Sequence, residues 1–129
     1  MVSPILSIQN LSKKFGAVIA SEDVSIDLYQ GEIHGLIGPN GAGKSTLIKQ
    51  ISGEIKQDSG KIVLGENEIS NQPVFQRAKM GLARSFQVSS IIPSFTVLQN
   101  VILAIQGNLG QTFKFWKPVS KNQELINAA

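Results

Sequence analysis

Hydrophobic and polar positions change rhythm several times along this chain, and each rhythm predicts an element. Leu6 and Ile8 stand two apart with Ser7 and Gln9 on the opposite face, and Leu11 and Phe15 extend the apolar set less regularly. This pattern predicts a strand that runs out at Lys13-Lys14-Phe15-Gly16. Val24, Ile26 and Leu28 alternate with Ser25, Asp27 and Tyr29, which predicts a second strand within 18–29. Such alternation belongs to an antiparallel sheet with one face in water. After the Gln30-Gly31 turn, Glu32-Ile33-His34-Gly35-Leu36-Ile37 abandons alternation for a mostly apolar run. It reads as a short buried strand.

The period then becomes helical. Leu47, Ile48 and Ile51 fall at i, i+1 and i+4, and Gly53 follows as a C-cap. Lys56-Gln57-Asp58-Ser59-Gly60 is a turn cluster. Lys61 to Leu64 predicts a strand, a Gly65-Glu66-Asn67 turn follows, and a short return strand ends at Ile69. Pro73 suits the first turn of a helix reaching about Met80. Gly81 to Gln87 reads as another strand, leading into a loop over 88–94. Thr96 with Gln99 three residues on forms a capping box. Val97, Leu98, Val101, Ile102 and Ile105 make one apolar face of the helix that follows. Beyond Gly107 the chain is mostly polar around Phe113-Lys114-Phe115-Trp116-Lys117-Pro118, with a further helix start near Ser120.

Composition narrows the picture. The chain has 129 residues, 42% hydrophobic and 16% charged, enough for one domain with a core. It contains no cysteine, so disulfides and thiolate metal sites are excluded, which suits a reducing compartment. Met1-Val2-Ser3-Pro4 lacks the basic and apolar regions of a secretory signal. The longest apolar stretch, 97–105, is broken by Gln99 and Asn100. It falls well short of the ~20 residues that span a bilayer. The net charge is +3. The basic residues are scattered and no recognition motif accompanies them, so no nucleic-acid partner is expected.

Between the apolar run and the helix lies Gly38-Pro39-Asn40-Gly41-Ala42-Gly43-Lys44-Ser45-Thr46, which fits the phosphate-binding P-loop pattern. Glycines at Gly38, Gly41 and Gly43 allow backbone conformations closed to other residues, so main-chain N–H groups can turn inward around a phosphate. Lys44 supplies a point charge for β- and γ-phosphates. Ser45 offers a hydroxyl to Mg²⁺. Thr46 stands in the first helical turn, where orphan N–H groups and the helix dipole favour an anion. A nucleotide's phosphates with Mg²⁺ are therefore the expected ligands of this loop.

Taken with Gly31 to Thr46, the segments Ser59-Gly60-Lys61-Ile62, Ala83-Arg84-Ser85-Phe86-Gln87 and Thr96-Val97-Leu98-Gln99-Asn100-Val101 resemble the N-terminal half of an ATP-binding-cassette (ABC) transporter ATPase. The likeness covers 5–105, with 106–129 expected to begin a helical subdomain or form a tail. Ala83 to Gln87 and Phe115 to Pro118 look most like the branched-chain amino-acid importer type, with urea importers close behind.

The resemblance implies an α/β fold: a P-loop NTPase core with an antiparallel β subdomain. It implies that Phe15 stacks on adenine, and that Asn40 and Ala42 join the glycines, Lys44, Ser45 and Thr46 around the nucleotide. Gln87 matches the Q-loop glutamine, which reaches Mg²⁺ or the attacking water; with Lys44 it forms the expected catalytic pair. The loop over 88–94, with Ile91, Ile92 and Phe95 in or beside it, resembles the groove that receives a permease coupling helix. Membrane-spanning permease subunits, a second ATP-binding subunit and, indirectly, a solute-binding protein are the implied partners. The implied location is cytoplasmic, on the inner face of the plasma membrane. A cassette protein without a transport role and an inactive nucleotide-binding fragment are the alternatives. His34 reads as structural rather than catalytic, and Glu54, Asp58, Glu66 and Glu68 as solvated turn residues.

The sequence holds no Leu-Ser-Gly-Gly-Gln signature, no apolar strand ending in Asp-Glu and no downstream switch histidine. The expectation is a chain truncated before those parts, of low stability and inactive in hydrolysis by itself.

Overall fold

In the computed structural model, the described residues are 3–85 and 91–108. The chain divides into two compact units after Arg84. The first is built on a four-stranded antiparallel sheet of order β2-β1-β3-β4. Its strands are β1 (Leu6–Phe15), β2 (Val18–Leu28), β3 (Ser59–Leu64) and β4 (Asn67–Glu68). The alternating segments thus pair as expected, Ile8 standing between Ile26 on β2 and Ile62 on β3. Ile8, Leu11, Ile62 and Ile69 form the core with Leu47 from helix α1 (Lys44–Ser52). A short helix, α2 (Val74–Lys79), begins after Pro73.

β1 and β2 carry register shifts between Ile8 and Leu11. Asn10 and Asp23 both take positive φ there, 51° and 50°, a conformation these residues tolerate better than most. Their side chains bind each other, Asn10 Nδ2 donating to Asp23 Oδ1 at 2.6 Å. The bulge drives the Asn10 carbonyl toward β3. A Cβ at residue 60 would sit 2.5 Å from that oxygen, so Gly60 is fixed by close approach as well as by its φ of 91°.

Three expectations need correction. Glu32 to Ile37 is not a buried strand: it forms no regular element, and Ile33 and Ile37 are 98% and 95% exposed. A strand needs a neighbour's N–H and C=O groups, and among the described residues none pairs with it. No strand forms over 82–85 either. In α1 the buried face comprises Leu47, Gln50 and Ser52, while Ile48 is exposed. A glutamine takes the inner place because β2 offers it a hydrogen-bond partner, Ser21 Oγ, at 3.1 Å.

In the second unit, α3 spans Val97–Asn108. Its capping box forms as read: Thr96 N–H donates to Gln99 Oε1 at 2.8 Å, and Gln99 N–H to Thr96 Oγ1 at 3.2 Å. Ile102 is buried, whereas Val97, Leu98 and Val101 are exposed. No helix among the described residues is long and apolar enough to cross a membrane.

Candidate functional site

Residues 38–43 form a loop that runs directly into α1, whose first turn carries Lys44, Ser45 and Thr46. Gly41 and Gly43 have φ of 85° and 80°, so the loop turns through left-handed conformations at the two places where glycine permits it. Gly43 is doubly constrained. It packs on β2 so closely that a Cβ there would lie 1.9 Å from the Ala20 carbonyl oxygen.

The first backbone hydrogen bond into the helix is Leu47 N–H to Gly43 O, at 2.9 Å. The N–H groups of Lys44, Ser45 and Thr46 precede it and are the helix's orphan donors. No side chain caps them, and the first turn carries no acidic residue. Orphan donors and the positive end of the helix dipole together make a seat for an anion. The Lys44 side chain curls back over the loop, Nζ donating to Gly38 O at 2.6 Å and Pro39 O at 2.7 Å. Its ammonium is therefore held against the backbone at the start of the loop. The donor set is cationic and all-N–H, with the Ser45 hydroxyl next to it, and this chemistry fits a polyphosphate with its magnesium ion.

A cleft of about 350 Å³ adjoins the loop, walled by Ile19, Ala20 and Ser21 of β2 and by Gly43, Lys44 and Leu47. The sheet thus supplies one wall, and the phosphate loop with Leu36 and Ile37 of the segment before it the other. Gln50, fully buried, ties the two together through its bond to Ser21. Phe15 lies at the end of β1 opposite Val18, one residue before the cleft wall begins, and is 48% exposed.

The structure thus brings together Gly38, Asn40, Gly41, Ala42, Gly43, Lys44, Ser45 and Thr46 in one loop, with Phe15 at the adjoining hairpin. Gln87 lies outside the described residues. His34 is exposed in the irregular segment, its Nε2 3.1 Å from Glu32 Oε2. Glu54 and Asp58 are not simply solvated: Glu54 pairs with Arg84, and Asp58 with Lys13. Burial would raise the Glu54 carboxyl, but hydrogen bonds from Ser52 and Arg84 and the charges of Arg84 and Lys49 hold it below the ordinary range.

One supporting residue escaped sequence reasoning. Arg77 of α2 is 2% exposed. Its guanidinium donates to four main-chain carbonyls: Gln50 and Ile51 at the end of α1 (2.8 and 2.7 Å), Gln72 (2.8 Å) and Ser70 (3.0 Å). It caps the C-terminus of the phosphate-loop helix with a cation, where the dipole is negative. Nothing in the local sequence separates Arg77 from an ordinary surface arginine.

Residues 21–129 match the model of the family described as ABC transporter. The high-affinity branched-chain amino acid transport ATP-binding protein LivG of Escherichia coli is 38% identical over 104 residues, 81% of this chain and 41% of that protein. The ribose import ATP-binding protein RbsA 2 of Streptomyces coelicolor is 39% identical over 102 residues, 79% of this chain and 20% of that protein. Among solved structures, the ADP conformation of an ATP-binding cassette of an ABC transporter superposes with TM-score 0.76 at 34% identity, covering 98% of this chain and 51% of that one. A nucleotide-free cassette gives 0.75 at 33%, covering 96% and 50%. The chain thus spans about half the length of the cassettes and less of the curated relatives.

Proposed function

The chain belongs to the ABC transporter family, and from that premise we propose that it is the nucleotide-binding portion of an importer's ATP-binding subunit. The observation that supports the reading is the 38–46 segment, which carries orphan helix donors, a glycine at 43 fixed by close approach and the Lys44 ammonium folded back on the loop. The loop N–H groups and Lys44 bind the β- and γ-phosphates. Ser45, joined by Gln87, holds Mg²⁺, which when bound neutralises charge developing between the phosphates. Phe15 carries the adenine. ATP hydrolysis is the activity this reading assigns to the whole protein.

The same reading gives the partners. Exposed Ile91, Ile92 and Phe95 contact a permease subunit at the inner membrane face. A second ATP-binding subunit completes the nucleotide sites, and a solute-binding protein acts through the permease. The solute is a branched-chain amino acid, supported by the Ala83 to Gln87 run and the LivG likeness. The similar identity to RbsA 2 favours a sugar as the second reading.

The test is Lys44→Ala. ATP affinity should fall roughly 100-fold, as expected for losing a charge-assisted contact of about 3 kcal/mol, with the circular dichroism unchanged. Titration calorimetry reads it, and an unaltered affinity in a folded variant overturns the site.

A further inference from the structure

Lys13 and Phe15 lie two residues apart near the end of β1. The Lys13 ammonium sits 5.3 Å from the centroid of the Phe15 ring. The same Nζ donates to Asp58 Oδ1 at 2.6 Å. The second oxygen of that carboxylate, Oδ2, accepts the Lys14 backbone N–H at 2.8 Å. Asp58 is itself tied to the strand, its N–H donating to Ser12 O at 2.9 Å. One carboxylate, entering on the turn before β3, thus grips β1 at two points and sets the lysine over the ring. The Lys13 side chain is only 16% exposed, so it is held rather than waving in solvent.

We infer that Lys13, clamped by Asp58, is a positioning residue for base recognition: it fixes the Phe15 ring from one side so that the other side is presented to the planar base of a nucleotide. The inference rests on the base-platform role of Phe15 proposed above. A phenylalanine at a strand end, half in water, samples several rotamers, and ordering it on binding costs affinity. A cation over one face is attracted by the ring quadrupole and selects one orientation beforehand. Since one face is taken, the base stacks on the other, on the side free of the ammonium. Neither Lys13 nor Asp58 needs to touch the nucleotide.

The test compares two ligands in the full chain, Mg²⁺–ADP and Mg²⁺–tripolyphosphate, the second lacking a base. Four variants are titrated: Phe15→Ala, Lys13→Met, Asp58→Asn, and Phe15→Ala with Lys13→Met. Methionine keeps the apolar stem and removes the charge. The expected result is a roughly tenfold ADP loss for Phe15→Ala, as base–aromatic stacking implies. A loss of about threefold is expected for Lys13→Met and for Asp58→Asn, with tripolyphosphate unchanged throughout. In the double variant the Lys13 effect should vanish. If Phe15→Ala weakens ADP but the Lys13 and Asp58 variants do not, or if their losses persist without the ring, the positioning role is overturned and the platform stands. If Phe15→Ala leaves ADP affinity intact, the platform itself falls, and the positioning role with it. Equal losses toward tripolyphosphate place the effect in the loop or the fold, and also overturn the inference.

Discussion

Ile62, in the run Lys61-Ile62-Val63-Leu64, is fully buried, whereas Ile33 and Ile37, in the run Glu32 to Ile37 with as many large apolar residues, are 98% and 95% exposed. Each run carries three large aliphatic side chains behind one charged residue, and Ile33 and Ile62 stand within thirty residues of each other. What separates them is company. β3 has β1 on one side and β4 on the other, and the Ile62 side chain meets Ile8, Leu11 and Ile69. The 32–37 segment has no strand on either side among the described residues. An apolar run states what a segment would bury. Whether it becomes a strand depends on another strand's free N–H and C=O groups. The phosphate loop sits at the junction. It is preceded by the unpartnered segment and followed by a helix packed on β2, so its geometry is held from the helix side.

If that is right, the largest break should come from the residue that holds the helix. Arg77 binds four carbonyls, two of them at the end of α1, and among the described residues it pairs with no carboxylate. Burial pushes the guanidinium pKa down, but an arginine stays charged throughout the working pH range. Arg77→Met takes a charged donor from two buried carbonyls, Gln50 and Ser70, and from two part-buried ones, Ile51 and Gln72. It should cost about 3–5 kcal/mol, in the range for removing one side of a buried charged contact. Urea unfolding measures the loss, and amide exchange at Gly53 and Glu54 should accelerate first. A loss below about 1 kcal/mol would mean that the loop helix does not depend on α2.

The comparison itself can be tested by one substitution made twice. Ile62→Ala removes a core side chain with full contacts and should cost roughly 2–5 kcal/mol. Ile33→Ala removes one that is almost entirely in water and should stay within about 0.5 kcal/mol. Equal costs for the two would show that the 32–37 segment is packed in solution, by a second copy or otherwise, and would erase the contrast.

Most of the first unit was legible because its determinants are local. Alternation marked β1 and the C-terminal half of β2, and Gly53 marked the end of α1 by its need for a left-handed conformation. The Thr96–Gln99 capping box read correctly because both of its hydrogen bonds lie within four residues. The phosphate loop is legible for the same reason, as glycine positions and a lysine within nine residues. What escaped reading is non-local. Gln50 is buried because Ser21 waits on another element, Arg77 because it meets carbonyls as much as 27 residues away. The Lys13–Asp58 clamp spans 45 residues. Ile33 failed in the opposite direction, since periodicity cannot report a missing neighbour.

The smallest effect concerns that clamp and the edge of the packed region. The hydrogen bond from the Lys13 ammonium, then that from the Lys14 N–H, holds the Asp58 carboxyl below the ordinary carboxylate range, against a smaller opposing effect of desolvation. A carboxyl lowered on folding favours the folded state when ionised. Its contribution is complete above the unfolded value, about 4, and is lost as the pH falls through the lower folded-state value. The urea midpoint of the parent should therefore exceed that of Asp58→Asn by a small, constant margin from neutral pH down to about 5. The margin should shrink below that and close in strong acid. Because the Asp58 side chain is half exposed, added salt should narrow it at every pH. The difference should register at amides of β1 and β3 and not at Ile33 to Ile37, whose backbone has nothing to lose. A margin that grew on acidification, or one read equally in both segments, would place Asp58 outside the packed unit and dissolve the distinction between the two runs.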